Sequence, residues 1–341
     1  MSDIDIRIEG RAGRITLTRP QALNAVTWEM LRAIDHALDA WAQDDRVALV
    51  LIDAEGDRAF AAGGDIVDLY QTGMAGDYAY GRRFWAEEYQ LNARIAEYPK
   101  PYVAMMHGFV MGGGVGISCH GSHRLVDESA QIAMPECGIG LVPDVGGSWL
   151  LARAPAGLGA LVGLTGYRMG PADAILTGFA DSFVPRAAWE GLIARLVATG
   201  DVDEIARVSE TPPDGSLSEG SELARWFDQA SVGALVTALE SDGGEAADKQ
   251  LKILRRQSPL SVACGLASIN AARDMTLQEA LAQEFRYVWR CMERGDFLEG
   301  IRAQVIDKDR NPTWRHGAAE DVSDAEVAAM LAPLGADELV I

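Results

Sequence analysis

The sequence predicts an α/β core over residues 1–185 followed by a mostly helical region over 186–341. Three observations carry this. Short alternating or apolar runs recur between helix-length amphipathic segments as far as about residue 185. Beyond that point strand signals fade while helical patterning continues. Two glycine-rich loops, FAAGGDI (60–66) and MGGGVGIS (111–118), each follow a strand-like run, as tight turns into helices do.

The elements follow in chain order. IDIRIE (4–9) alternates strictly, and GRITLTRP repeats the alternation with Ile15 and Leu17 on one face, so both read as half-buried strands. An amphipathic helix is expected from Thr27 to Ala42 with Thr27 as N-cap, because its side-chain oxygen can accept from an otherwise orphaned first-turn N–H. VALVLIDAEG (47–56) is a short apolar run closed by glycine, the pattern of a strand buried on both faces. A helix over 78–97 ends ahead of Pro99 and Pro101, and YVAMMHG then reads as another buried strand. TPPDGSLSEGS (211–221) is turn-rich and reads as an exposed connection between helical segments.

Composition removes several classes of function. Thirty basic against fifty acidic side chains give a formal net charge of -20, which repels nucleic acid and anionic lipid at long range. The opening MSDIDIRIEG has acids where a targeting segment needs basic residues, and no apolar run is long enough to cross a bilayer, so the expectation is a cytoplasmic protein. Cys119, Cys137, Cys264 and Cys291 are scattered without a CxxC pair and read as buried thiols. His107, His120 and His123 lie near one another, but Gly121 interrupts any shared helical face and no further ligand is evident, so no metal site is expected.

MPECGIGLVPDVGG (134–147) sets Glu136 and Asp144 eight positions apart among small and apolar residues. Adjacent glycines let main-chain N–H groups approach a ligand with no Cβ in the way, and two such groups converging on one oxygen form an oxyanion hole. Taken singly, each residue also has a plainer account: Asp144 can cap the helix that begins in VGGSWLLAR, Glu136 can be a loop acid, and Glu88 can be a solvated helix acid.

FAAGGDI, HGFVMGGGVGIS, MPE and the GG after Pro143 match, in order and spacing, the crotonase (enoyl-CoA hydratase/isomerase) superfamily, which the chain resembles over nearly all of its first 185 residues. The resemblance implies a spiral of ββα units and a CoA thioester substrate, with CoA belonging to the substrate and no separate cofactor. It implies that the N–H groups of Gly64 and Gly113 polarise the thioester carbonyl, each worth about 3 kcal/mol of transition-state stabilisation. Glu136 is then the acid beside the carbonyl. RPQALNAV (19–26) resembles the early loop whose backbone lies against the CoA adenine, so Asn24, Ala25, Arg58 and Ala62 are carried over as substrate-binding residues.

The family's hydratases resemble one another in using a second glutamate where this chain has Gly116, so water addition lacks half of its acid/base pair. KPYVAMMHGFVMGGGVGIS, AMPECGIGLVPDVGGSWLLAR, LTGYRM and the tail segments TLQEAL, EFRYVWRCM and DFLEGIRAQVIDKDRNPTW (296–314) resemble the acyl-CoA hydrolase branch that acts on 3-hydroxyisobutyryl-CoA in valine breakdown. That resemblance implies Glu136 as nucleophile or as base toward water, Asp144 as acceptor for a substrate 3-hydroxyl, and Glu88, within Glu87 to Asn92, as a substrate-binding residue. An enoyl-CoA isomerase or hydratase and a non-catalytic CoA-ester binder stay open as alternatives, as does homo-oligomerisation.

Overall fold

The computed structural model describes residues 3–341, and contacts divide them into two units, neither contiguous in sequence. The first gathers residues up to Gly64, Gln90–Ile132 and Met169–Ser216; the second gathers Asp65–Tyr89, Ala133–Arg168 and Leu217–Ile341. A cut at residue 185 follows the change in secondary structure: the last strand is Ser182–Phe183, and the described residues beyond it are helices and connections. Contacts follow the interleaved division instead.

Nine strands occur among the described residues: β1 (Ile4–Glu9), β2 (Ala12–Leu17), β3 (Leu49–Ala54), β4 (Ala59–Ala61), β5 (Tyr102–Met106), β6 (Phe109–Met111), β7 (His123–Val126), β8 (Gln131–Ala133) and β9 (Ser182–Phe183). The first unit carries a six-stranded sheet in the order β1-β2-β3-β5-β7-β9. β1 and β2 form an antiparallel hairpin that sets Ile6 opposite Ile15, and the pairings from β2 onward are parallel. Parallel neighbours need a crossover. The Trp28–Ala42 helix supplies the one from β2 to β3; Thr27 caps it by accepting from the Met30 N–H at 3.2 Å, and Met30, Leu31, Ile34, Leu38 and Trp41 are its buried stripe. β3 and β5 are buried almost throughout, as their unbroken apolar runs predict. Leu49, Leu51, Val103, Met105 and Leu125 pack with Trp189, Leu192 and Leu196 of the Trp189–Thr199 helix.

A second, three-stranded sheet has the order β4-β6-β8, and β4 and β6 are parallel. Parallel strands end at the same edge, so the loops that follow β4 and β6 emerge side by side. That edge positions the glycines discussed below.

The second unit is built from helices. Among them the tail helix, Leu277–Arg294, opens with a capping box between Thr276 and Glu279 and buries Leu277, Leu281, Glu284, Phe285, Tyr287 and Val288. Gly147–Arg153 is a short helix whose N-cap, Gly146, has no side chain to cap with.

Candidate active site

In the first unit, Gly64 lies three residues past β4 and Gly113 two past β6. The two loops touch. A Cβ on Gly114 would stand 2.4 Å from the Ala61 carbonyl oxygen, and one on Gly63 would stand 3.6 Å from that of Met111. Gly112, at φ 46, precedes the short Gly113–Gly116 helix, and Gly63 takes φ 112; both are left-handed values that favour glycine. The glycine pattern is thus a requirement for packing main chain on main chain, and it leaves the first-turn amide of Gly113 outside the helical ladder. Gly116 is buried, so no carboxylate stands at that position.

The 19–26 loop is tied to the same edge. Asn24 is buried and uses its whole side chain: Oδ1 accepts from the Arg19 N–H at 2.9 Å, and Nδ2 donates to the carbonyls of Glu55 at 3.0 Å and Ala59 at 2.9 Å. Main-chain bonds from the Ala62 N–H to the Leu23 carbonyl (3.0 Å) and from the Val26 N–H to the Gly63 carbonyl (2.9 Å) complete the attachment. What Asn24 and Ala25 can offer a ligand is therefore backbone. Arg58 carries an exposed guanidinium, while its carbonyl accepts from the Phe109 N–H at 3.0 Å.

The second unit brings together acids. Glu136, Asp144, Glu88 and Glu284 are only 4%, 4%, 2% and 0% exposed. Among the described residues none of the four forms an ion pair with a cationic side chain. Burial is the main cause that holds the Glu136 carboxyl well above its ordinary value, with the nearby charges of Asp144 and Glu284 adding to it. Burial likewise pushes Asp144 up to about 7, against the hydrogen bond from Tyr89, whose hydroxyl donates to Asp144 Oδ2 at 2.8 Å. Glu88 is raised by burial and then by Asp144. Glu136 opens a short 3-10 turn after Pro135, and its Oε2 is buried with no hydrogen-bond partner. A buried acceptor left unpaired costs free energy.

The structure answers the plainer accounts. Asp144 does not cap the Gly147–Arg153 helix with its side chain. The free amides there go to Glu284, which accepts from the Gly146 N–H at 2.8 Å and the Ser148 N–H at 2.9 Å. Glu136 and Glu88 are buried, not solvated. His107 Nε2 bonds the Gly56 carbonyl at 2.7 Å, and its ring meets Trp189 edge-on with centroids 5.9 Å apart. Tyr89, Ser148 and Glu284 are absent from the residues that the sequence analysis singles out. Glu284 alone left a local signal, as an acid on the apolar stripe of Leu277, Leu281, Phe285 and Val288.

An edge of paired glycine loops and a cluster of buried carboxylates define a class: the chain belongs to the enoyl-CoA hydratase/isomerase family, whose model matches residues 12–331, and its fold is the crotonase fold. Among its relatives, the mitochondrial 3-hydroxyisobutyryl-CoA hydrolase of Gallus gallus is 38% identical over 99% of this chain and 91% of its own. The protein of the same description from Danio rerio is 40% identical over 92% of this chain and 85% of its own. A solved structure described as an enoyl-CoA hydratase from Rhodobacter sphaeroides 2.4.1 is 51% identical, with a TM-score of 0.92 and the whole of both chains covered.

The expectation of a cytoplasmic protein is overturned by these relatives, which are named as mitochondrial. Net charge and the length of apolar runs bear on whether a chain suits water or lipid; they do not distinguish one aqueous compartment from another.

Proposed function

We propose that this protein hydrolyses a short 3-hydroxyacyl-CoA thioester, with 3-hydroxyisobutyryl-CoA as the principal substrate, yielding 3-hydroxyisobutyrate and CoA. That reaction is a step of valine breakdown. The observation that carries this reading is the pairing of a buried glycine at 116 with buried acids at 136 and 144. On this reading Glu136 is the acid that acts at the reacting carbon, position 116 supplies no second glutamate for a hydratase pair, and Asp144 is the acceptor for a hydroxyl.

In this reading the 19–26 backbone and Arg58 take the CoA nucleotide, and the amides of Gly64 and Gly113 take the thioester oxygen. Ionised Glu136 then has two routes to one outcome. As a base it removes a proton from water while the water oxygen bonds to the carbonyl carbon; the tetrahedral oxyanion collapses, the C–S bond breaks, and the proton goes to the departing thiolate. As a nucleophile its own oxygen displaces the thiolate, and water then cleaves the mixed anhydride. Asp144 Oδ2 is engaged by Tyr89, so Oδ1 serves the substrate 3-hydroxyl. An analogue without that hydroxyl leaves a buried acceptor unpaired and is disfavoured. Glu88 lines the acyl side of the same cluster.

A hydratase is the second reading, favoured by the description of the 51% identical structure. Release of free thiol from 3-hydroxyisobutyryl-CoA separates the two. Glu136→Gln is expected to reduce that release by about 10²- to 10⁴-fold while CoA-ester binding is retained. Undiminished turnover by the variant refutes the role of Glu136, and water addition to an enoyl-CoA without thiol release refutes the hydrolase.

A further inference from the structure

We propose that Glu284 of the tail helix is a positioning residue for Asp144, its carboxylate holding the turn over residues 144–148 from which the Asp144 side chain projects. The inference rests on the role given to Asp144 above and extends it to a residue far away in sequence.

Val145 takes φ 53 and Gly146 φ 78, and the Gly147 N–H donates to the Asp144 carbonyl across the bend at 2.6 Å. A β-branched residue in the left-handed region is strained and persists only where its surroundings enforce it. Glu284 does the enforcing. Its Oε2 accepts from the Gly146 N–H, its Oε1 accepts from the Ser148 N–H, and the Ser148 hydroxyl makes a short contact with the same Oε1. Both oxygens are therefore committed to the turn. A glutamine could not do the same, since its NH2 would face one of the two main-chain donors.

The next residue on the tail helix acts on the other end of Asp144. Phe285 meets the Tyr89 ring edge-on, with centroids 6.2 Å apart and planes at 74°, and the Tyr89 hydroxyl holds Asp144 Oδ2. Consecutive tail residues thus brace the main chain and the side chain of one acid. Packing alone does not call for an acid at 284: burial raises its carboxyl to about 8, against hydrogen bonds from Ser148 and Gly146, with Asp144 adding to the rise. A leucine or methionine would fill that stripe without the desolvation cost.

The test is selectivity. The measured quantity is the ratio of kcat/KM for 3-hydroxyisobutyryl-CoA to that for isobutyryl-CoA, which lacks the hydroxyl. Glu284→Gln is expected to lower this ratio about tenfold or more, while kcat/KM for isobutyryl-CoA stays within about threefold. Ser148→Ala is expected to lower it about threefold and carries the test if the first variant does not fold. Asp144→Asn is expected to lose the preference, and Glu284→Gln added to it to lose no more, since coupled residues are not additive. A ratio lost in Asp144→Asn but intact in Glu284→Gln and Ser148→Ala overturns the inference alone, as does a double variant whose losses multiply. Absence of thiol release by the wild type, or an intact ratio in Asp144→Asn, overturns the reading of the site and the inference with it.

Discussion

Tyr89→Phe isolates one hydrogen bond. The substitution keeps the ring, and with it the edge-on contact to Phe285, and removes only the hydroxyl that donates to Asp144 at 2.8 Å. That bond favours the ionised form of Asp144 and works against the burial that carries its carboxyl up to about 7. A hydrogen bond to a charged acceptor contributes about 1.5–3 kcal/mol, which at about 1.4 kcal/mol per pH unit corresponds to about one to two pH units. The sign is upward: with the donor gone the protonated form gains, and the carboxylate needed by the substrate hydroxyl appears only at higher pH. At pH 7 the ionised fraction falls from roughly a half to roughly a tenth or less. The assay is the pH profile of kcat/KM for thiol release from 3-hydroxyisobutyryl-CoA between pH 5 and 9.5, with apparent values assigned to the Asp144–Glu136 pair as a whole. The acid limb is expected to move up by about one to two pH units, with activity largely recovered at the alkaline end. A profile that stays in place, moves down, or drops equally at every pH refutes the argument.

Two further perturbations address the first unit. Gly114→Ala forces a Cβ to within 2.4 Å of the Ala61 carbonyl oxygen, so the 112–116 and 59–64 loops must part; kcat is expected to fall more than KM rises, and a kcat equal to the wild type refutes the oxyanion assignment. Asn24→Ala leaves the carbonyls of Glu55 and Ala59 and the Arg19 N–H without their partner, which costs about 1–3 kcal/mol per buried group; thermal melts are expected to show a loss of stability, with KM for CoA esters rising while KM for a truncated pantetheine thioester changes little. Equal changes in both KM values refute a role of that loop toward the nucleotide.

The fold was legible where a physical constraint is local. β1 and β2 show the period of a half-buried strand, β3 and β5 the unbroken apolar run of strands covered on both faces, and Thr27 the oxygen that a helix start needs. The glycines at 63, 112 and 114 were legible for a similar reason, since left-handed φ and close main-chain approach leave few other residues possible. Tyr89 and Glu284 were not. Their partners, Asp144 and Ser148, lie 55 and 136 residues away, and nothing in either local pattern states what a side chain will meet at that separation. Asp144 shows the difficulty most clearly: an acid ahead of a helix predicts a cap, yet the cap comes from a different helix and leaves Asp144 available for a ligand. The interleaving of the two units was hidden likewise, because Asp65–Tyr89 has an ordinary helical pattern and only contacts assign it to the second unit.

The buried acids also separate what folds the chain from what it does. In the unfolded chain Asp144 and Glu284 titrate in the ordinary carboxylate range, whereas in the fold they are raised to about 7 and about 8. Their protonated forms are therefore the ones the fold favours: any stability they contribute is present at low pH and is lost as pH rises through those values. For Asp144 the rise from 3.8 to about 7 corresponds to on the order of 4 kcal/mol by neutral to alkaline pH, a large share of the 5–15 kcal/mol that typically holds a domain together. Apolar side chains in the same places would carry no such liability. Four carboxyls gathered in one unit without a paired cation among the described residues thus oppose folding at the pH where an enzyme works, a cost that packing does not account for. The loop amides that Glu284 caps tie the tail helix to the turn that carries Asp144, so an acid whose own carboxyl is raised by burial and then by Asp144 is also the one that holds that turn.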